Sequence, residues 1–305
     1  MTETVHRSDS TIIAEVWEGL NREPKELSPK FFYDQRGSEL FEEITRLPEY
    51  YLNRAERGLL HAVAPTLVAS TLVELGAGSA EKTRILLDAM SGLKTYVPVD
   101  VSAAFLEETA AQLRSEYPRL RVVPIVADMT HGAPAAPARP ALYAFLGSTI
   151  GNFTDQEAVE MMAGIRRRMG SGDRLLLGAD LVKDHVTLDA AYNDSRGVTA
   201  EFNRNILYVV GRELGVDFHP EMFEHLAFYN AQAGRIEMHL MATRDLCITI
   251  PDAGSLYIRH GESIRTEISN KYDRRRLTAI LGAAGLRVTM WNVDERHGYA
   301  LVVAE

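Results

Sequence analysis

The sequence predicts a doubly wound α/β sheet joined to a second, discontinuous α+β domain. Three observations predict it. From residue 71 short apolar runs alternate with helical patterns; the alternation stops near residue 183; and it resumes near residue 272 with one helix and two strands.

The N-terminal part reads as helical. In "STIIAEVWEGL" Ile12, Ile13, Val16, Trp17 and Leu20 recur at helical spacing, as do Leu40, Phe41, Ile44 and Leu47 after Ser38. A third helix is expected to open at Asn53, with Glu56 three residues on as a cap-like start, and to carry Leu59, Leu60, Val63 and Leu67. The apolar runs that follow are "TLVEL", "TYVPV", "RVVPIVA", "ALYAFLG" and "RLLLGADLV", with helices expected from Ser79, Ser102 and Thr154. Thr154 and Glu157 have the spacing of a capping box. Runs this continuous suit parallel strands covered on both faces by helices.

Residues 183–271 carry the helical stretch "AAYNDSRGVTAEFNRNILYVVGREL" and then the strands "GRIEMHLMA", "SLYIRHGE" and "SIRTEISNKY". The helix "RRRLTAILGAAG" follows, and "LRVTMWNV" and "YALVVAE" are expected to pair antiparallel at the sheet edge. The expected domains are therefore 57–182 with 272–305, and 8–56 with 183–271.

Composition bounds the function. A net charge of −9 leaves no electrostatic footprint for nucleic acid or an anionic membrane, and the basic runs "IRRRMG" and "KYDRRRL" read as solvated helix faces. The single cysteine, Cys247, lies in an apolar run and is expected to be a buried, inert thiol. The nine histidines are scattered without metal-site spacing, so no metal is expected. Neither a signal peptide nor a run long enough to span a bilayer is apparent, which points to a cytoplasmic protein.

The chemistry centres on "VELGAGSAEKTR", residues 73–84. A dinucleotide fingerprint needs a glycine three residues after Gly78, and Glu81 stands there. A phosphate-binding loop needs a glycine before Lys82, and Glu81 fills that place too. A carboxylate there repels phosphate. S-adenosylmethionine (SAM) is the remaining common ligand of such a turn: it has no phosphate and carries a positive sulfonium and ammonium. Asp100, 22 residues after Gly78, ends the second strand where a carboxylate can accept ribose hydroxyls. Asp128 is expected to end the third strand, facing an adenine amino group, and "FLGSTIGN" ends the fourth. Open α/β sheets bind ligands at these strand ends.

The segments "FFYDQRGSELFEEITRLPEYYLNRAE", "VELGAGSAEKTRILLDAM", "FLGSTIGNF", "LLLGADLVKD", "AYNDSRGVTAEFNRNIL" and "TEISNKY" resemble the L-histidine Nα-methyltransferases of ergothioneine biosynthesis. The likeness runs from about residue 28 to the end and includes the 183–271 insertion. It implies a Rossmann-like class I SAM-dependent methyltransferase sheet with a substrate-binding second domain. It also implies three methyl transfers from SAM to the α-amino group of free L-histidine, giving hercynine; separately, the protein is expected to be a monomer. Cofactor positions would be Tyr33, Gly76, Lys82, Asp100, Asp128 and Met129, the last where an aromatic residue is common. Substrate positions would be Tyr50, Asn152, Tyr192, Met238, Glu267 and Ser269, with Phe41 and Phe202 as walls. Asn152, the Gly147 carbonyl and Tyr33 would serve the transfer itself.

Other readings stand beside this one. Tyr50 and Tyr51 fit a core aromatic pair, Met238 shares a strand face with Ile236 and Leu240, and Asn152 fits a turn before the Thr154 cap. A relative acting on tryptophan or prenylated tryptophan is the alternative enzyme, which Met238 and Glu267 disfavour. Methylation of nucleic acid or protein is opposed by the acidic balance, and a non-catalytic SAM sensor by the retained polar residues.

Overall fold

The structure, a computed structural model, describes residues 6–129 and 132–305, with side chains from residue 11. Its helices in chain order are α1 (His6–Leu20), α2 (Gln35–Thr45), α3 (Tyr51–Val63), α4 (Thr83–Ala89), α5 (Ala103–Glu116), α6 (Asp155–Arg168), α7 (His185–Tyr192), α8 (Val198–Leu214) and α9 (Arg274–Ala283). The strands are β1 (Lys25–Glu26), β2 (Thr71–Leu75), β3 (Thr95–Asp100), β4 (Arg121–Val122), β5 (Ile125–Val126), β6 (Ala141–Phe145) and β7 (Arg174–Asp180). They continue with β8 (Phe223–Asn230), β9 (Arg235–Ala242), β10 (Leu246–Ile250), β11 (Gly254–Ile258), β12 (Ser263–Asn270), β13 (Val288–Asp294) and β14 (Tyr299–Ala304). The chain divides into two compact units: Tyr51–Asp184 with Ser269–Glu305, and the described residues up to Tyr50 with His185–Ile268.

The first unit holds a sheet of order β13-β14-β7-β6-β2-β3-β4, with β5 also on β3. β3, β2, β6 and β7 run parallel, and β14 lies antiparallel between β7 and β13, as expected of the C-terminal pair. Val73, Leu75, Tyr143, Phe145, Leu175 and Leu177 pack with Met161, Met162 and Ile165 of α6 and Leu277 and Leu281 of α9. The alternate residues Leu72, Tyr96, Leu142 and Leu176 are buried as well. Burial on both faces is why these strands read as unbroken apolar runs.

Local chemistry explains where the elements depart from expectation. The third run splits into β4 and β5 around Pro124, which has no N–H to give the ladder. Helix α3 starts at Tyr51, not Asn53, because Tyr51 and Leu52 are themselves buried and packing overrides the cap signal. Helix α4 starts at Thr83 rather than after Ser79: Gly76, Gly78 and Ala80 all have positive φ, which no right-handed helix accommodates. Ser102 sits at the N-cap of α5 without a side-chain cap bond. At α6 the capping box forms in both directions: Thr154 N–H donates to Glu157 at 2.7 Å and Glu157 N–H donates to the Thr154 hydroxyl at 3.3 Å.

In the second unit α1 and α2 pack on α8 beside a sheet of order β1-β12-β9-β8, and β10 and β11 form a separate hairpin. The long helical stretch is two helices: Gly197 has φ 74°, and Asp194 accepts from the amides of Val198 (2.9 Å) and Thr199 (2.7 Å), capping α8. Strand β8 had no counterpart in the sequence reading, because in "FEHLAFYN" only Phe223 and Ala227 are fully buried and the alternation is weak. Asn203 of α8, fully buried, ties the layers together. Its amide donates to the His239 carbonyl at 2.9 Å and its carbonyl accepts from the Thr266 hydroxyl at 2.6 Å. Cys247 is exposed, contrary to expectation, since in the hairpin Ile248 and Ile250 turn inward and Cys247 takes the opposite face. Among the described residues, no helix is long and apolar enough to cross a membrane.

Thr154→Ala removes the acceptor at the start of α6 and should lower unfolding stability by about 0.5–2 kcal/mol in urea titration. An unchanged midpoint would show that the box contributes nothing measurable.

Candidate functional site

In the sheet unit β2 delivers the chain into the glycine turn. Gly76 and Gly78 have φ of 70° and 52°, a conformation that costs glycine little. A Cβ on Gly76 would come within 3.1 Å of the Met129 methyl, whereas one on Gly78 would meet nothing within 4 Å. The turn thus has space beside it, with Met129 as one wall. Asp100, the last residue of β3, accepts from the Gly78 N–H at 3.0 Å and the Ser102 N–H at 3.1 Å. It braces the turn, a role absent from the sequence reading. Asp128 lies two residues beyond β5 rather than on a strand end.

Glu56 of α3 carries the next layer. It is fully buried and accepts from Lys82 Nζ at 2.5 Å, the Tyr299 hydroxyl at 2.7 Å and the Gly147 N–H at 2.8 and 3.0 Å. Gly178 of β7 makes this possible: a Cβ there would overlap a Glu56 carboxylate oxygen and the Tyr299 hydroxyl. The turn after β6 then holds two left-handed residues, Gly147 (φ 77°) and Ser148 (φ 59°), followed by the 3-10 turn Thr149–Asn152. Gly147 is held by Glu56, and the Ser148 hydroxyl accepts from the Asp180 N–H at 2.9 Å. Asn152 is bracketed by Asn270, whose amide donates to the carbonyls of Gly151 (3.1 Å) and Phe153 (2.8 Å).

A second buried carboxylate, Asp180, ends β7. It accepts from the Tyr51 hydroxyl at 2.7 Å and pairs with Lys271 at 3.0 Å and with Lys183. Burial pulls the Lys183 ammonium down to about 8, against the attraction of Asp180. Lys271 also donates to the Ser269 hydroxyl at 2.8 Å.

The other unit gathers aromatic rings. Tyr33 lies 5.9 Å from both Phe41 and Phe202, centroid to centroid; Phe41 lies 5.9 Å from Phe202 and 6.3 Å from Tyr50; Tyr50 lies 6.5 Å from Tyr192. Five of the expected residues therefore form one cluster. Asp34, beside Tyr33, caps α2 through the Gly37 N–H (2.8 Å) and accepts from the Asn205 amide (2.9 Å). Met238 is buried between Ile236 and Leu240 along β9, as its core reading has it, and its carbonyl accepts from the Thr266 hydroxyl at 3.1 Å. Glu267 is half-buried on β12, next to Thr266.

Asp180, Lys271, Asn203 and Asn270 were not singled out from sequence, and Glu56 was read only as part of a helix start. The signal for Glu56 was present, since it stands in the apolar stripe of Leu52, Ala55, Leu59, Leu60 and Val63. An acid in such a stripe needs buried donors.

The model of a family described as "Histidine-specific methyltransferase, SAM-dependent" matches residues 12–305. A Mycobacterium tuberculosis protein named histidine N-alpha-methyltransferase is 43% identical over 302 residues, covering 95% of this chain and 93% of that one. Its namesake from Mycolicibacterium smegmatis is 42% identical, covering 94% and 92%. Among solved structures, an S-adenosylmethionine-dependent methyltransferase from Clostridium acetobutylicum superposes with a TM-score of 0.47 at 12% identity, covering 83% and 91%.

Beneath the glycine turn, burial raises the Glu74 carboxyl to about 7, opposed by hydrogen bonds from Thr83 and Tyr96 at 2.5 Å each. A carboxyl raised on folding binds more protons in the native state. Its contribution is full below the ordinary carboxyl pKa and is lost as pH rises through about 7. Glu74→Gln cannot ionise, so between roughly pH 5 and pH 8 it should gain on the parent by about 1–3 kcal/mol. Urea unfolding at the two pH values measures this; parallel pH dependences would mean that Glu74 is ionised throughout.

Proposed function

The chain belongs to the histidine-specific, SAM-dependent methyltransferase family, and from that premise we propose that it methylates the α-amino nitrogen of free L-histidine three times. The product is hercynine, and the reaction is the first step of ergothioneine biosynthesis. The observation that carries this reading is the extent of the likeness: it covers 95% of the chain, including the insertion with Tyr192, Met238 and Glu267.

The residues fit SAM. The glycine turn leaves room where a Cβ would intrude, and the acceptor at the end of β3 is a carboxylate suited to a ribose diol. When bound, SAM supplies a methyl group on a sulfonium cation, whose charge also favours the neutral amine. In the sheet unit Asp100 would accept the ribose hydroxyls, Asp128 the adenine amino group, and Met129 would pack on the adenine. Lys82 enters this role already neutralised by Glu56. The Gly147 carbonyl and Asn152 would orient the amine. In the other unit, which this reading makes the substrate-binding domain, Tyr50 and Tyr192 would hold the substrate carboxylate through neutral donors. Tyr33, Phe41 and Phe202 would offer ring faces to the growing ammonium charge, worth ~0.5–2 kcal/mol. Glu267 would accept the imidazole N–H, with Ser269 adding a second polar contact.

Alignment of the reacting atoms is the main requirement, and positioning of this kind supplies up to ~7–11 kcal/mol. Asp100 and Glu56 act on the two turns that would perform it.

Incubation with SAM and a mixture of free amino acids should show histidine gaining 14, 28 and 42 mass units (roughly one CH₂ per transfer). Mono- and dimethylhistidine should be converted onward, and monomethylhistidine persisting under excess SAM would sink the trimethylation reading. Calorimetry should find SAM binding weakened about tenfold or more by Asp100→Ala, since a carboxylate bond to a hydroxyl contributes ~1.5–3 kcal/mol. Glu267→Ala with Met238→Val should lower the kcat/KM ratio of histidine to tryptophan by about tenfold or more. An unchanged ratio would remove both residues from specificity.

A further inference from the structure

His225 lies on β8, the strand without a counterpart in the sequence reading, and the reaction as described above makes no use of it. It stands between Phe223 and Ala227 on the buried face of that strand and bonds through both ring nitrogens. Nε2 lies 2.9 Å from the carbonyl of Tyr192, the last residue of α7, and Nδ1 lies 2.9 Å from the Asn203 amide of α8. We propose that His225 is a positioning residue for substrate binding. Locked as a neutral imidazole with its proton on Nε2, it sets the backbone of Tyr192 and so the place of the Tyr192 ring. The inference rests on the reading that Tyr192 holds the substrate carboxylate.

Two carbonyls fix the tautomer. A carbonyl only accepts, so the ring nitrogen facing the Tyr192 oxygen must carry a hydrogen. On the other side, Asn203 Nδ2 lies 2.9 Å from the His239 carbonyl, so the atom placed there must be the amide nitrogen and not the amide oxygen. The oxygen then faces Thr266, whose hydroxyl donates to it at 2.6 Å. Of the two amide hydrogens, one serves the His239 carbonyl and the other points at Nδ1, which can accept only while it is unprotonated. An imidazolium would set an N–H against an N–H. Burial also pulls the His225 pKa below the ordinary histidine value; Arg204 adds to this, and the Tyr192 carbonyl and Asp194 oppose it.

The bond does more than tie a helix to a strand. Other groups already dock α7 on β8: Asp189 accepts from the Tyr229 N–H at 2.7 Å, and the Asn193 amide donates to the Ala227 carbonyl at 3.1 Å. His225 acts at Tyr192 itself, where the carbonyls of a last helical turn take donors from outside the helix. Asn203 is fully buried and bonded to His225, His239 and Thr266, so the imidazole it holds has little freedom to turn. The direction of the Tyr192 backbone is thereby set from β8 and α8, and with it the ring that stands 6.5 Å from Tyr50.

Kinetics on the full chain test this. His225→Leu keeps bulk and removes both ring nitrogens, whereas the amide of His225→Gln can again donate to the Tyr192 carbonyl. His225→Leu should raise KM for histidine about tenfold and change kcat by less than about threefold, because a carboxylate contact is made equally in the ground and transition states. His225→Gln should recover most of that loss, and calorimetry should find the same SAM affinity in all three proteins. A cycle with Tyr192→Phe identifies the route: the double variant with His225→Leu should have a KM no worse than Tyr192→Phe alone. Losses that multiply to about a hundredfold would show that His225 does not act through Tyr192, and would remove the inference while leaving the reading of Tyr192 intact. An unchanged KM, with kcat, SAM affinity and unfolding midpoint falling together, would make His225 a support of the fold only. Should His225→Leu not fold, His225→Asn takes its place in the cycle, since its shorter amide reaches Asn203 but not Tyr192. Nitrogen NMR of the parent checks the lock directly. The imidazole signal missing from His225→Gln should report, near about pH 7, a neutral ring protonated at Nε2, and a ring protonated at Nδ1 overturns the proposal. If Tyr192→Phe leaves KM for histidine unchanged, its hydroxyl does not hold the carboxylate, and that reading and the inference fall together.

Discussion

The structure of the sheet unit depends on a buried carboxylate that must be satisfied. Glu56 draws donors from three separate stretches of chain: Lys82 beyond the glycine turn, the Gly147 N–H after β6, and Tyr299 at the start of β14. A carboxylate without water is tolerated only when such partners surround it, and loss of one leaves an uncompensated charge costing several kcal/mol. The two turns that flank the strand ends are therefore held in register by one side chain. Gly178 belongs to the same arrangement, since any side chain there would take the space of the carboxylate.

Asp180 repeats this logic at the end of β7. It collects Tyr51, Lys183 and Lys271, while its own amide holds Ser148. Gly147 and Ser148, adjacent and both left-handed, are thus fixed by the Glu56 carboxylate and the Asp180 backbone N–H respectively. Asn270 closes the far side of the same turn around Asn152. One carboxylate, one backbone N–H and one side-chain amide thus hold successive residues of this turn.

The second unit is organised by a neutral residue instead. Asn203 bonds at once to β9 and, through Thr266, to β12, and so sets α8 against the sheet. Phe202, the residue before it on α8, stacks on Phe32 at 4.5 Å and approaches Tyr33 and Phe41. One helix thereby orders both the strands and the aromatic cluster. An amide serves this purpose well, since it offers donors and an acceptor without the desolvation cost of a charge.

The amino-acid sequence by itself determined the fold class. Apolar runs, a 3.6-residue period and glycine punctuation are local signals, and "TLVEL", "ALYAFLG" and the Thr154–Glu157 box emerge as strand, strand and helix start. It also determined the place of the glycine turn and of Asp100, because a fixed spacing along β2, α4 and β3 carries them. Local signals failed where backbone strain or packing prevailed: at Ser79, overridden by three positive-φ residues; at Asn53, overridden by buried Tyr51 and Leu52; at Cys247, where hairpin register set the exposed face. What only the tertiary structure decided was the partnership of the buried charges. Glu56 meets Tyr299 across 243 positions and Asp180 meets Tyr51 across 129, and no periodicity along the chain encodes which acid faces which donor. Those pairings follow from strand order, and strand order exists only once the sheet has formed.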